Sequence, residues 1–448
     1  MYASQGLQTA LNAMREMSVA DGKIYHQYVP VVTDSTTIGE FGQPILDTNN
    51  LEVMNDFVGL LKKIVYTAVE NKLFNNPLAD LEGERLPLGQ FIESVYVNPA
   101  ESRNFNVNDF AGILQKYEAD VAVQHLAVNS DLQYCVTLTR DKIRNAFTSW
   151  ASLESLITGY INSLYNGAYA DMYAQTKGLV TAAYNGNKVQ VVTVSDVTDE
   201  ASAKAMIQTL RATFAKMKVP STKFNAWSKM QEDGHALKVW SDPEDIVVLI
   251  SADVDAIVDV QVLARAFNMT ETDFLGRVIV VDDFNVYNRD GSVAVDGSAI
   301  KAMICDKAWF KVKTQDMAMD SWFNANNRTW QYYLNVVKMY NYSFFANAVV
   351  FATAQPTVAA TDLDFDEHAP TTVVAGQTIK ARVITDPVNA NSTITYSSSA
   401  TTYATVAADP SDPKVCIITG KEAGSATITA TANGHSDTLA VTVSAAAA

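Results

Sequence analysis

The chain has 448 residues, room for two to four domains with sizeable cores, which excludes a disulfide-stapled miniprotein. Hydrophobic residues make up 48% but charged residues only 18%, against about 25% in a typical soluble domain, so part of the surface is expected to face another chain. With 33 basic and 49 acidic residues the net charge is -16, which repels phosphate backbones and anionic lipid and argues against bulk nucleic-acid binding.

No apolar run approaches the roughly 18 residues that a membrane-spanning helix needs; the longest, such as Ile246 to Ile250, are strand-sized. The first twenty residues read as an amphipathic segment and not as a secretory signal, so no membrane association is expected. Cys135, Cys305 and Cys416 lie far apart and are expected to be reduced, packed thiols in a cytoplasmic setting.

In chain order, the first distinctive stretch is Asn75 to Gly89, with Pro77 and Pro87 flanking a charged tip at Asp80, Glu82, Glu84 and Arg85, followed by the alternating Phe91 to Val97. It reads as a long hairpin loop, either a plain surface hairpin or an arm reaching a neighbouring subunit. From Asp141 to about Tyr184 there is no proline, and Ile143, Phe147, Trp150, Leu153, Ile157, Ile161, Leu164, Ala168 and Met172 recur at steps of three or four. This predicts one amphipathic spine helix of about 35 to 40 residues, roughly 55 to 60 Å long, with Gly159, Gly167 and Gly178 as weak spots.

A strand at Lys188 to Val194, a helix at Ser202 to Lys218, a strand at Ile246 to Ser251 and a helix around Ala256 to Phe267 follow, then strands at Arg277 to Val281 and Ile300 to Cys305. The elements alternate without a βαβ rhythm and are joined by turns such as Asp290-Gly291 and Asp296-Gly297, so the class is α+β. Trp330 to Val337 and Phe344 to Phe351 read as strands in the same core as the spine. Composition changes near Pro356: residues 361 to 448 hold 16 Thr but no Trp or Met, and short alternating stretches predict a separate all-β sandwich.

Chemical signals are sparse. No G-x-G-x-x-G follows a strand, Gly420-Lys421 continues into Glu422 where a phosphate loop needs Ser or Thr, and G-x-S-x-G is absent. His26, His125, His235, His368 and His435 form no recognisable pair, and no cysteines cluster as zinc ligands would. Asp362, Asp364 and Asp366, with Glu367 and His368, would offer calcium oxygen ligands on one extended face, but a calcium loop's glycine is missing, so a solvated interdomain linker is preferred. Asp255 and Asp259 stand one helical turn apart, as an acid and base would, yet are better read as a helix's wet face. The aromatics at Trp330 to Tyr333 alternate with core-type residues and lack the basic patch of a nucleic-acid binder. No catalytic, cofactor or metal site is expected; the chain reads as a structural protein that self-associates.

Several stretches are distinctive together. They are Asn75-Asn76-Pro77-Leu78 with Leu86-Pro87-Leu88-Gly89, Ser149-Trp150 with Glu154-Ser155, Ile161-Asn162 with Tyr165-Asn166, Leu263 to Met269 with Thr272 to Gly276, and Phe345 to Val349. Through them the chain resembles the major capsid proteins of phi-29-like small short-tailed bacteriophages. The tail, through Ala375-Gly376-Gln377, Asp386 to Ala390, Ile394 to Ser399, Ala404 to Val406 and Gly424 to Ala430, resembles bacterial immunoglobulin-like group 2 domains, with Tyr396 where many members have Trp.

The resemblance implies a Hong Kong 97-type capsid fold. Residues 1–70 would form the N-terminal arm and the start of a peripheral domain, 71–103 an extended loop, and 104–187 the peripheral domain with the spine. Residues 188–323 would form an axial domain, 324–356 a return to the peripheral domain, and 357–448 the immunoglobulin-like domain. It implies homo-pentamers and homo-hexamers in a shell enclosing double-stranded DNA, assembled in the host cytoplasm with a scaffolding protein and a portal. Asp80, Glu82, Glu84 and Arg85 would be assembly contacts, and the tail could touch host-surface glycans. The alternatives are a surface adhesin or carbohydrate-binding protein using the tail, and a hydrolase on Asp255 and Asp259.

Overall fold

The computed structural model describes residues 3–47, 51–68, 74–87, 91–102, 116–257 and 278–445. They group into two units, one of Met1–Ile92, Leu126–Thr176 and Lys311–Asn341, the other of Glu93–His125, Lys177–Phe310 and Tyr342–Ala448. No helix among the described residues is long and apolar enough to cross a membrane.

In the first unit, helices Gln5–Ala20, Ile38–Leu46 and Leu51–Ala68 surround the apolar stripe of the spine. The second starts at a capping box in which Thr37 accepts from the Glu40 N–H while Glu40 reaches back to Thr37, satisfying two otherwise orphaned donors. A three-stranded antiparallel sheet, ordered Phe310–Asn324, Thr329–Tyr342, Ser130–Thr139, closes the core. Trp330, Tyr332, Leu334 and Val336 alternate inward from the central strand and share a cluster with Leu153, Ile157, Ile161 and Leu164.

The spine is one helix from Trp150 to Asn185, 36 residues long, and runs through Gly159, Gly167 and Gly178 without a break. Its expected first turns belong instead to a separate helix, Arg140–Ala146. The division has a local cause: Ser149 Oγ accepts the Ser152 N–H at 3.1 Å and starts a new helix. Phe147, in the turn, packs its ring 5.7 Å from Phe57 and 6.1 Å from Phe41.

The second unit holds a five-stranded mixed sheet ordered Gln190–Thr193, Ala348–Ala352, Ile300–Asp306, Ile246–Ser251, Val278–Val281. Every residue of Ile246–Ser251 and Ala348–Ala352 is buried, which explains their unbroken apolar runs. Helix Glu200–Met217, capped by Asp199, packs Met206, Leu210 and Phe214 on this sheet.

Strand Ala348–Ala352 pairs with Gln190–Thr193 and Ile300–Asp306, in a sheet that buries both of its apolar faces. Strand Phe310–Asn324 forms a hairpin with Thr329–Tyr342 and belongs from Lys311 onward to the first unit. Beyond Asp255, the helix expected at Ala256 to Phe267 is described only for its end in Ala252–Ile257; residues 258–277 lie outside the described residues.

The tail is two four-stranded sheets with one core. One is ordered Asp362–Phe365, Thr378–Asp386, Asp412–Gly420, Ala404–Asp409; the other Thr372–Val374, His435–Ser444, Gly424–Ala432, Thr395–Ser398. Leu363, Val383, Cys416 and Ile418 from the first meet Ile428, Ala430, Val441 and Val443 from the second. The α+β body with an all-β tail expected from the sequence is the architecture observed.

Candidate functional site

The charged loop is anchored by leucines. Phe74 donates its N–H to Asn166 Oδ1 at 2.8 Å, Leu78 donates to Asn76 Oδ1 at 2.9 Å, and the short turn Ala79–Leu81 follows. Leu78, Leu81 and Leu86 are buried, while Asp80, Glu84 and Arg85 between them are exposed. From Glu82 the segment lies parallel to strand Phe310–Asn324: Gly83 N–H donates to Val312 O and Leu86 N–H to Thr314 O, each at 2.9 Å. The described part of this stretch is therefore laid along a strand edge of its own chain; residues 88–90 lie outside the described residues.

The four tip residues divide. Glu82 Oε2 stands 2.7 Å from Nζ of Lys338, whose side chain is only 2% exposed, and Glu82 also accepts from the Thr314 hydroxyl. Arg85 pairs with Asp316 Oδ1 at 2.9 Å and donates to Gln315 O at 3.0 Å, in the open. Asp80 and Glu84 are exposed, and among the described residues neither forms an ion pair.

A second surface was not singled out from the sequence. Strands Phe91–Val97 and Val121–Ala127 form a two-stranded ribbon. One side is held down by Ala122, Trp227, Leu237 and Phe345, with Tyr96 packed against them and its hydroxyl donating to Lys238 O at 2.7 Å. The other exposes Val95, Val97, Val121 and Val123 at 54%, 55%, 49% and 37%. In the sequence Phe91 to Val97 is an alternating stretch with apolar residues on both faces, so the alternation does not say which face is wet.

The remaining candidates do not converge on chemistry. Asp255 is half-buried, with its carboxyl pushed up by desolvation; Asp259 lies outside the described residues. The Asp362, Asp364 and Asp366 segment is not a linker but the first strand of the tail, paired with Thr378–Asp386 because Leu363 and Phe365 alternate into the core. Among the described residues no three His, Cys, Asp or Glu side chains gather as a metal site. Cys305 and Cys416 are buried free thiols, whereas Cys135 is exposed, on the outer face of strand Ser130–Thr139. A cavity of about 730 Å³ beside the spine contains Lys142 and Tyr160 among hydroxyls and aliphatic groups, with no carboxylate or histidine among the described residues of its lining.

Residues 11–352 match the family model of the Phi29-like phage major capsid protein, and residues 351–443 match the bacterial Ig-like domain, group 2. The major capsid protein of Bacillus phage PZA is 30% identical over 353 residues, covering 78% of this chain and 74% of that protein. That of Bacillus phage B103 is 31% identical over 358 residues, covering 79% and 74%. Among solved structures, the capsid structure of Staphylococcus phage Andhra superposes with a TM-score of 0.51 at 15% identity, over 63% of this chain and 86% of that one, a likeness of fold. These matches do not favour the adhesin alternative. The chain belongs to the Phi29-like phage major capsid protein family, with a group 2 bacterial Ig-like domain at its C-terminal end.

Proposed function

We propose that this chain is the shell-forming subunit of a phage head, assembling with copies of itself into pentamers and hexamers that close around double-stranded DNA. The reading is carried by the family match across residues 11–352. The Hong Kong 97-type plan of arm, extended loop, peripheral domain with spine, axial domain and return segment is part of it. Closed shells follow when each subunit meets its neighbours through different patches and the angle between those patches fixes curvature.

The paired charges at the loop are divided in this reading. Glu82 and Arg85 set the path of the loop on its own subunit, while Asp80 and Glu84 meet a neighbour. Exposed pairs contribute only about 0 to 1 kcal/mol each, so their part is register more than strength. Area comes from the valine face of the ribbon, since a specific interface buries on the order of 1,600 Å². The net charge of -16 suits a wall that does not adhere to packed phosphate.

A scaffolding protein, a portal and assembly in the host cytoplasm complete the proposal, with no cofactor and no enzymatic step; the Ig-like domain, by its resemblance, could meet a host-surface glycan. Electron microscopy of the expressed chain, with and without a scaffolding protein, tests it. Closed particles of uniform diameter are expected. A chain that stays monomeric under both conditions and is absent from virus particles overturns it.

A further inference from the structure

Within the second unit, a cavity of about 470 Å³ lies where the Ig-like tail meets the strand and loops before it. Asn187 Nδ2 donates to Asn389 O at 2.9 Å and Asn389 Nδ2 donates back to Gly186 O, so two asparagines lock the two sides reciprocally. On the other side Arg382 Nε donates to Glu232 O at 2.7 Å. Gly234, at φ +67°, makes room for that guanidinium: a Cβ there would stand 2.5 Å from it. The lining is therefore fixed by contacts from both sides.

Its charge is opposite to that of the chain. Among the described residues, the charged groups lining the cavity are Lys229, Arg382, Lys414 and Asp412. Asp412 is already held by Arg382 at 2.8 Å. Lys229 Nζ donates to Asn187 Oδ1 at 2.9 Å and Val189 O at 2.7 Å; Lys414 Nζ donates to Thr385 Oγ1 at 2.8 Å and to Val388 O. Each ammonium has three donors, so one on each is left over among the described residues, and neither has a carboxylate within ion-pair reach. Burial lowers both lysines to about 8; at Lys414 the neighbouring Arg382 guanidinium adds to the effect and the Asp412 carboxylate opposes it. Asn391, Ser392, Ser411 and Gln231 add neutral polar groups around them.

We propose that this cavity binds a phosphate-sized oxyanion, free or carried on a polyol, between Lys229 and Lys414, with Arg382 alongside. Such a ligand would neutralise two half-buried charges and satisfy their spare donors at once. The proposal goes beyond the capsid reading and does not depend on assembly.

The test uses the full chain titrated with inorganic phosphate by calorimetry at pH 7, with glucuronate as a carboxylate probe and chloride at matched ionic strength as control. Saturable phosphate binding is expected, weakened at least tenfold in both Lys229→Met and Lys414→Met but not in Lys421→Met, a surface control, and weakening in the wild type as pH rises past 8. A shift of the unfolding midpoint by phosphate over chloride in the wild type reads the same site without any variant. Glucuronate binding as tightly as phosphate would overturn the phosphate assignment. No saturable binding, or binding unchanged in both methionine variants, would overturn the site.

Discussion

Lys338 Nζ lies 2.7 Å from Glu82 Oε2, an ammonium buried in the central strand of the first unit's sheet and met by a carboxylate from a loop 256 residues earlier. Glu82 is the only ion partner of Lys338 among the described residues, so removing it leaves a charge stranded in the core. Glu82→Ala is predicted to cost about 3 kcal/mol of unfolding free energy, as breaking a buried pair usually does, and Glu82→Leu with Lys338→Met to recover most of it. Urea unfolding of the purified chain measures both. A double variant as unstable as the single one would show that the charges themselves are not what holds the loop.

The outward residues of the same loop should behave differently. Arg85 and Asp316 are each more than half exposed, so Arg85→Ala should change stability by less than about 1 kcal/mol. Asp80→Asn with Glu84→Gln should leave the unfolding curve within about 0.5 kcal/mol of the wild type while lowering the yield of closed particles. A loss of stability without a loss of particles would place their role inside the subunit.

How much of this was legible in the sequence depends on how local the cause was. The spine, the buried strands Ile246–Ser251 and Ile300–Asp306 and the alternating strands of the tail follow from periodicities of three to four and of two, which neighbouring residues alone set. The break before Trp150 was also written locally, in Ser149 as a cap, but a continuous apolar stripe through Ile143 and Phe147 masked it. The course of residues 82–86 along Val312 and Thr314, the pairing of Ala348–Ala352 with Ile300–Asp306, and the cavity of Lys229 and Lys414 bring together residues tens to hundreds of positions apart. No spacing rule encodes them.

Alkaline pH should reveal the two cavity lysines. Their folded values of about 8 lie below the ordinary 10.5, so between pH 8 and 10.5 the folded chain holds fewer protons than the unfolded chain. Their contribution to stability therefore rises with pH across that window, and below pH 8 the cost of burying both charges is fully present. Buried thiols act in the opposite sense above about pH 9 and buried tyrosines above pH 10, since Cys305, Cys416, pushed up to about 11 by burial, and Tyr342, pushed up to about 12 by burial, keep their protons in the folded state after the unfolded chain has lost its own. Unfolding followed between pH 7 and 9 in phosphate-free buffer, below the range where the thiols oppose it, should show the rise in the wild type and a flatter profile in Lys229→Met and Lys414→Met. An unchanged slope in both variants would assign the effect to other groups.

Close approach at Gly297 gives a steric prediction independent of charge. A Cβ there would stand 2.1 Å from the carbonyl oxygen of Phe284, a backbone atom that cannot rotate away. Asn285 Oδ1 also accepts the Gly297 N–H at 2.8 Å, which holds the turn against the strand. Gly297→Ala should therefore destabilise the second unit by about 1 to 3 kcal/mol. Gly291→Ala, with open space around it but φ at +83°, should cost only about 1 kcal/mol from backbone strain. Equal midpoints for the two variants in thermal unfolding would contradict the steric account.

The valine face of the ribbon makes the sharpest distinction between folding and assembly. Two strands alone are marginal in water, and this pair is held by one side only, through Ala122, Tyr96 and Phe345. Val95, Val97, Val121 and Val123 contribute nothing to that attachment yet place four branched apolar side chains in solvent. Charges there should be almost free for the isolated subunit, because the side chains they replace are already wet, and severe for any neighbour that buries them unpaired. Val97→Lys with Val123→Lys is therefore expected to keep the wild-type unfolding midpoint within experimental scatter while abolishing closed particles in electron micrographs. Shells of unaltered number and diameter from the doubly substituted chain would remove the ribbon from the assembly surface.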